Sequence, residues 1–255
     1  MIFYFTGTGN SFYVASELAK DTDEQLVDMG QAVKHKRFTY EIAPNEKVGF
    51  VFPVYFMGLP SAVTQFISKM ELNGVTPHHY IYSVITCGNG IAGANQMLEN
   101  KLERACYHLT VTYKVVMPEN YMIMFDAPTQ EEQEKIFAKA ENTIRDIKED
   151  IEMLNTEGYE STKKDFVLST MTYSLYQKGR KTKKFWVDDQ CVSCHACENR
   201  CPSNAIRLID GVPTWVKDQC VHCLQCTRCG AIHYGKALEK HGRYKHPVFR
   251  KKVCH

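Results

Sequence analysis

The sequence predicts an α/β fold, in which a doubly wound parallel sheet is followed by a small α+β domain. Two observations support this prediction. In the first half of the 255 residues, apolar and β-rich runs alternate with helical patterns, as they do in βαβ units. In the last quarter, eight of the eleven cysteines lie between Cys191 and Cys229. We therefore predict a sheet domain over residues 1–157, a helical connection over 158–184 and a cysteine-rich domain over 185–255.

Four apolar runs indicate strands of the sheet, and a weaker run suggests a fifth. The strong runs are IFYF at 2–5, KVGFVFPVY at 47–55, YIYSVIT at 80–86 and LTVTYKVVM at 109–117, and the weak run is QLVDM at 25–29. Helical patterns fill the intervals at roughly 10–20, 59–71 and 91–106. The segment 30–46 is polar and poorly patterned, so any helix there is expected to be short.

The clearest helix is predicted over residues 129–157. Thr129 and Glu132 have the spacing of a capping box, and apolar residues from Ile136 to Leu154 recur on one face. Gly158 then ends the pattern. We interpret the basic run at 178–184, just before the cysteines, as a solvated linker.

A glycine-rich loop joins the first strand to the first helix. Its residues are Thr6, Gly7, Thr8, Gly9, Asn10 and Ser11. Backbone N–H groups and the helix dipole attract a phosphate at such a junction. No Gly-Lys-Ser/Thr sequence follows, and Phe12 stands where a dinucleotide fingerprint has its third glycine. The loop is therefore predicted to hold the phosphate of a mononucleotide, the alternative being a tight turn without a ligand.

The next two strong strands also end in unusual loops. The first of these loops contains Tyr55, Phe56, Met57 and Gly58, and the second contains Thr86, Cys87, Gly88, Asn89 and Gly90. Parallel sheets bind ligands outside the carboxyl ends of their strands. We therefore expect all three loops to converge on one crevice.

These three loops resemble those with which flavodoxins hold FMN. The resemblance implies that the glycine-rich loop binds the FMN phosphate, that the second loop lies against the isoalloxazine with Gly58 near flavin N5, and that the third borders the ring's polar edge. Two positions depart from the family: Leu59 replaces a frequent acidic residue, and Asn89 replaces a frequent aromatic one. One-sided stacking would leave room for a second redox centre or a substrate. Cys87 has no evident His partner, so we interpret it as a small polar residue and not as a nucleophile.

The eight clustered cysteines form two runs. The first contains Cys191, Cys194, Cys197 and Cys201 followed by Pro202, and the second contains Cys220, Cys223, Cys226 and Cys229. The first has the spacing of bacterial ferredoxins, in which the fourth cysteine ligates the other [4Fe–4S] cluster. The segment VDDQCVSC at 187–194 recurs as VKDQCVHC at 216–223, which indicates a repeated unit.

The repeat predicts two clusters whose fourth ligands are exchanged. Cys191, Cys194 and Cys197 would hold one cluster with Cys229, and Cys220, Cys223 and Cys226 would hold the other with Cys201. A zinc site is the alternative, but it would use only four of the eight thiols. A disulfide framework is disfavoured, because such bridges are usually spread through a small fold.

The second run is shorter than the first. Nine positions separate Cys197 from Ile206, but only six separate Cys226 from Ile232, a loss of about one helical turn. If Cys229 still reaches the first cluster, that cluster has four thiolate ligands. If it does not, the first cluster is labile or is bound by three thiolates. His195 and His222, which lie inside the runs, are predicted to face solvent.

As a whole, the chain resembles the flavodoxin–ferredoxin fusion proteins of anaerobic microbes. The resemblance implies electron transfer between two [4Fe–4S] clusters and FMN, with a redox protein as donor or acceptor. A second hypothesis is an FMN-dependent reductase of a small organic substrate bound near Tyr55, Asn89 and Tyr121. A third is a redox or oxygen sensor with a labile cluster.

The rest of the sequence narrows the partners of the protein, whether it is a carrier or a reductase. No second nucleotide-binding fold for NAD(P)H is evident, which favours a protein electron donor. The net charge of +2 gives no field for nucleic acid, and no apolar run approaches the ~18 residues of a membrane span. We therefore expect a cytoplasmic protein that binds neither nucleic acid nor membrane, and the sequence leaves its oligomeric state open.

Overall fold

The computed structural model of the chain describes residues 1–249. The last six residues of the predicted cysteine-rich domain, which include Cys254, lie outside the described residues. The first half contains a five-stranded parallel sheet whose strands, in spatial order, are Leu26–Asp28, Ile2–Tyr4, Val48–Pro53, Ile81–Cys87 and Val111–Val116. Helices cover both faces of this sheet, and a small region of antiparallel strands follows. The predicted fold class is confirmed.

The elements of the sheet domain begin and end as follows. They are β1 (Ile2–Tyr4), α1 (Asn10–Leu18), β2 (Leu26–Asp28), α2 (Met29–His35), β3 (Thr39–Glu41), β4 (Val48–Pro53), α3 (Ser61–Ile67), β5 (Glu71–Asn73), β6 (Ile81–Cys87), α4 (Ala94–Arg104), β7 (Val111–Val116) and α5 (Gln130–Glu152). The short strands β3 and β5 pair with each other in a separate parallel ribbon. The weak run is a strand, β2, and the poorly patterned segment contains only one short helix, as predicted.

Two hydrophobic cores lie on opposite faces of the sheet. Helices α2, α3 and α4 cover one face, where Phe50 and Phe66 are fully buried. Helices α1 and α5 cover the other face, where Val14 and Ile144 pack with the opposite side chains of the same strands. Strands β4 and β6 are buried along their whole length because both faces are covered. Because β1, β4 and β6 run parallel, the loops that follow them lie at one edge of the sheet.

Helix α5 has the predicted start but an earlier end. Thr129 accepts a hydrogen bond from the backbone of Glu132, and Glu132 accepts from the backbone of Thr129, so the capping box is present. The helix ends at Glu152, and Leu154 adopts a left-handed conformation with φ of 55°. The prediction that it extends to 157 is wrong, because the chain turns here before Gly158 packs against β7.

The second part of the chain consists of short elements. They are α6 (Lys163–Gly179), β8 (Phe185–Val187), α7 (Ala196–Arg200), β9 (Ile206–Ile209), β10 (Val212–Trp215), the 3₁₀ helix Gln225–Cys229, β11 (Ile232–Tyr234), α8 (Ala237–Lys240) and a second 3₁₀ helix, Pro247–Phe249. Strand β8 pairs antiparallel with β11, and β9 pairs antiparallel with β10. Phe185 and Ile232 lie in the small core between the two pairs.

The basic run at 178–184 is more ordered than predicted. Its lysines are exposed, as expected for a solvated segment. However, Thr182 is buried and its backbone N–H donates to the carbonyl of Asp218 at 2.9 Å. Arg180 donates to the carbonyl of Cys220 at 3.0 Å. The basic segment 178–184 is therefore an ordered strap that packs along the second cysteine run. It is not a free linker.

Candidate functional site

A crevice of about 580 Å³ lies at the carboxyl ends of β4 and β6. Its size is within the usual range of small-molecule sites. Many of the predicted residues line it, namely Asn10, Tyr55, Phe56, Met57, Thr86, Cys87, Gly88, Asn89 and Gly90. Gly58 does not line it, because its Cα faces Tyr173 and Met97. Of the glycine-rich loop, only Asn10 reaches the crevice.

The glycine-rich loop is buried and fastened to its neighbours. Gly9 adopts a φ of 117°, which favours glycine, and its N–H donates to Thr6 Oγ1 at 3.1 Å. Ser11 Oγ lies 2.7 Å from Thr86 Oγ1 and so joins the first loop to the third. Asn10 Nδ2 donates to the carbonyl of Pro118 at 2.9 Å. The loop is thus fixed at the N-terminus of α1, as a phosphate site requires.

The second loop is a tight and strained turn. Tyr55 and Gly58 exchange backbone hydrogen bonds of 2.8 and 2.9 Å, and the two residues between them have positive φ angles. Phe56 has φ of 48° and Met57 has φ of 59°. Such turns normally carry Asn or Gly, so two large side chains here store strain, as often happens at ligand sites. The Phe56 ring stacks on Tyr176 and meets the edge of Tyr121.

A fourth segment completes the crevice, and the reductase hypothesis places one of its residues, Tyr121, near the substrate. Pro118, Glu119, Asn120 and Tyr121 follow β7 and line one wall. Glu119 Oε1 accepts from the backbone N–H groups of Asn120 and Tyr121, at 2.8 and 2.9 Å. These residues lack a motif, so the only available signal was their position directly after the edge strand.

Cys87 is buried at the floor of the crevice. Burial raises the pKa of its thiol to about 11, so the group is protonated at neutral pH. A protonated thiol is a weak nucleophile. This supports its interpretation as a small polar residue.

The ten cysteines among residues 1–249 are all free thiols, and the eight clustered ones form two groups. One group lines a cavity of about 400 Å³ and contains Cys191, Cys194, Cys197 and Cys229, with Cys226 at its inner side. The other borders a much smaller cavity and contains Cys201, Cys220, Cys223 and Cys226. In residues 1–249 no set of three or more His, Cys, Asp or Glu side chains is arranged to hold a single metal ion.

The thiols of each group raise one another's pKa, and Cys197 of the first group also acts on Cys226. Burial raises the pKa of Cys197 to about 11, and the nearby thiols of Cys229 and Cys191 contribute to the rise. Burial also raises the pKa of Cys226, with further contributions from the neighbouring thiols Cys223, Cys220, Cys201 and Cys197. Cys229 therefore lies beside the first group despite the shortened run. The shorter segment winds as a 3₁₀ helix where the first copy has α7.

Comparison with known families identifies the two parts. Residues 1–118 match the flavodoxin domain model, and residues 185–207 match the 4Fe-4S binding domain model. The chain joins a flavodoxin domain to a 4Fe-4S domain. This confirms the predicted flavodoxin–ferredoxin fusion and indicates a role in redox electron transfer.

Comparisons with individual proteins add little. No curated protein matches the sequence. Four solved chains match, among them the Trp repressor binding protein from Bacillus subtilis, which is 11% identical, with a TM-score of 0.34 over 57% of this chain and 96% of that one. This similarity is too weak to support any inference about the fold or function of the chain. No helix within residues 1–249 is both long and apolar enough to cross a membrane.

The ferredoxin domain packs directly on the flavodoxin crevice. A Cβ atom at Gly7 would lie 2.4 Å from the carbonyl oxygen of Cys223, which shows how closely the two loops approach. Tyr55 lines the crevice and lies in the flavodoxin core cluster with Cys223 at its edge. Tyr176, on the connecting helix α6, donates to the carbonyl of Val221 at 2.9 Å.

His222 links the crevice to the second cysteine group. It lines both cavities and is only 4% exposed, so the prediction that it faces solvent is wrong, whereas His195 is exposed as predicted. Its Nε2 donates to the carbonyl of Lys181 at 2.8 Å, and burial lowers its pKa. The neutral ring therefore presents Nδ1 as an acceptor to the Tyr121 hydroxyl at 3.3 Å.

These residues suit the cofactors that the two domains suggest. The crevice combines aromatic side chains with backbone and amide groups, as expected for a flavin ring. Among residues 1–249, the N–H groups of Gly7 and Thr8 in the adjoining loop belong to buried residues and donate to no protein acceptor. The eight thiols lie in two groups next to each other, and one of these groups adjoins the crevice.

Proposed function

We propose that the protein transfers electrons within one chain, between two [4Fe–4S] clusters and FMN. In this role it links a low-potential, one-electron protein partner to a flavin. The observation that carries the proposal is the position of His222, which borders both the flavin crevice and the second cysteine group. A short distance between redox centres is what an internal relay requires.

The inner cluster would be held by the group in which no cysteine is exposed. Its ligands would be Cys220, Cys223, Cys226 and Cys201. The N–H of His222 lies 3.3 Å from Cys220 Sγ, and the N–H of Ala205 lies 3.3 Å from Cys201 Sγ. Such hydrogen bonds to sulfur stabilise the charge of the reduced centre.

The outer cluster would be held by Cys191, Cys194, Cys197 and Cys229. Cys194 and Cys229 are exposed, so this side of the molecule is accessible to a partner protein. Electrons would therefore pass from the partner to the outer cluster, then to the inner cluster and then to the flavin.

FMN would be held by the glycine-rich loop and the crevice. Bound FMN carries one or two electrons, whereas each cluster carries one. The loop N–H groups would bind the phosphate, and the turn at Phe56 and Met57 would support the ring. His222, which is buried, and Tyr55, which is partly buried, would exclude water between the flavin and the inner cluster.

A flavin-dependent reductase is the second candidate, and one observation favours it. The crevice is walled by Pro118–Tyr121 and also by Met124 and Phe125, which are about half exposed. This wall could cover a small substrate beside the flavin. A reductase would oxidise its reduced flavin with a small organic acceptor, whereas a carrier requires a protein acceptor.

The first experiment is a cofactor count on protein purified without oxygen. We expect about eight irons with matching sulfide per chain, one FMN, and the EPR spectrum of two interacting clusters in the reduced protein. About four irons would contradict the assignment of the outer cluster. Zinc without sulfide, or protein that binds no flavin, would contradict the proposed function.

A further inference from the structure

The glycine-rich loop is held by the other half of the chain at three consecutive carbonyl groups. Gln225 Nε2 donates to the carbonyl of Thr6 at 2.7 Å. The Arg228 guanidinium donates to the carbonyl of Gly7, from Nε at 3.2 Å and from Nη2 at 2.5 Å. The backbone N–H of His246 donates to the carbonyl of Thr8 at 2.9 Å.

These contacts determine which way the loop's N–H groups point. In a trans peptide the C=O and the following N–H point in opposite directions. The three loop carbonyls point towards their donors in the second half of the chain. The N–H group that follows each carbonyl, on Gly7, Thr8 and Gly9, therefore points away from those donors. The Gly9 N–H donates to Thr6 Oγ1, and the other two have no acceptor within residues 1–249. Successive N–H groups on one side form an anion-binding concavity.

The two side chains that donate are fixed by the second cysteine run. Gln225 precedes Cys226, and Arg228 lies between Cys226 and Cys229. Gln225 is 7% exposed, and the Arg228 guanidinium lies 3.9 Å from the centre of the Phe249 ring. A cluster bound to these cysteines would hold the intervening backbone, and with it both donors, in place.

We propose that Gln225 and Arg228 of the ferredoxin domain are positioning residues for the FMN phosphate, so that assembly of the clusters and binding of FMN favour each other. The inference rests on the proposed function, since it takes FMN as the ligand of the loop. Neither residue needs to touch the phosphate. Each acts through a carbonyl of the loop, and the linkage is reciprocal, as any coupling between two binding sites must be.

The test compares the affinities of FMN and riboflavin, which differ by the phosphate. Gln225→Met and Arg228→Met remove the donors, Arg228→Lys retains a charged donor, and Gln219→Met is the matched control. Gln219 also donates its side-chain amide to a carbonyl across the interface, that of Gln177 at 3.1 Å, but away from the loop. Flavin is removed from anaerobically purified protein, iron and sulfide are counted, and each flavin is titrated by fluorescence quenching.

We expect each Met variant to weaken FMN binding by about tenfold, which is the loss of one such hydrogen bond. Riboflavin binding should not change, Arg228→Lys should recover part of the FMN affinity, and Gln219→Met should behave as the wild type. An equal loss for FMN and riboflavin, or no loss for either, would overturn the inference while leaving the proposed function intact. A wild-type protein that binds neither flavin would instead overturn the proposed function.

Discussion

At the scale of single residues, Gly7 shows how tightly the two domains fit. Its Cα leaves no room for a methyl group, because the Cys223 carbonyl oxygen and the Tyr55 hydroxyl would lie 2.4 and 2.8 Å from a Cβ atom. We expect Gly7→Ala to destabilise the protein by about 1–3 kcal/mol, the usual cost of overpacking. It should also lower the FMN content. Anaerobic thermal unfolding and flavin absorbance would measure both effects.

The control for this substitution is Gly179→Ala. Gly179 ends α6, and a Cβ atom there would meet no other atom within 4 Å. This variant should be as stable as the wild type or slightly more so, because alanine favours the helix. If Gly7→Ala retained full stability and flavin, the close packing of the two loops would be refuted.

Individual residues also show what the sequence could and could not predict. The eight cysteines were recognisable from spacing alone, because a cluster imposes local distances on the chain. The burial of His222 was not, since a histidine in a polar loop gives no local sign that Tyr121, about a hundred positions earlier, covers it. Likewise, Gln225 and Arg228 belong to no motif, and their role depends on a contact between distant parts of the chain.

At the scale of elements, the strained turn after β4 allows a direct test. Met57 is held at φ of 59° and is 38% exposed, so it incurs the cost of a left-handed conformation and gains little from burial. We expect Met57→Gly to raise the free energy of unfolding by about 1 kcal/mol, since glycine adopts this conformation without strain. Denaturant unfolding measures the change. A stability loss would show that the Met57 side chain contributes more than its backbone costs.

The five strands of the parallel sheet and the longer helices of the flavodoxin domain followed from periodicity, but their ends and the separate ribbon of β3 and β5 did not. Hydrophobic patterning gave every strand of the parallel sheet and the apolar face of α5. Helix α5 ends early because the chain turns at Leu154, which has a left-handed conformation. Leucine rarely adopts this conformation, so the sequence did not predict the turn. The shortened second run was recognised, but its consequence was not. Gln225–Cys229 forms a 3₁₀ helix, which has three residues per turn, and Cys229 lines the same cavity as the first group although the run is shorter.

At the scale of the whole molecule, the ferredoxin domain contributes His222 to the wall of the crevice. The sequence predicted two domains joined by a linker and gave no sign of their contact, because an interface has no periodicity of its own. In the structure, α6 and the strap after it bring the second cysteine run against the glycine-rich loop. The division of the chain into domains at 157 and 185 stays a prediction.

This arrangement predicts that loss of the outer cluster affects only electron transfer to the flavin, whereas loss of the inner cluster also affects FMN binding. Cys194 is exposed on the outer group, whereas Cys223 lies in the inner group with its carbonyl oxygen against Gly7. Cys194→Ser should slow reduction of the flavin by a reduced ferredoxin but leave FMN bound. Cys223→Ser should abolish this reduction and also weaken FMN binding, because it loosens the run that carries Gln225. Anaerobic stopped-flow absorbance and a flavin titration measure the two effects.

The matched control is Cys106→Ser, since Cys106 is exposed and lies outside both cysteine groups. It should alter neither the rate nor the affinity, and circular dichroism should show all three variants folded. If Cys194→Ser reduced its flavin at the wild-type rate, electrons would not enter through the outer cluster. If Cys223→Ser bound FMN normally, the flavin site would be independent of the inner cluster. The two domains would then share a chain without sharing a site, which the hydrogen bonds to Thr6 and Gly7 argue against.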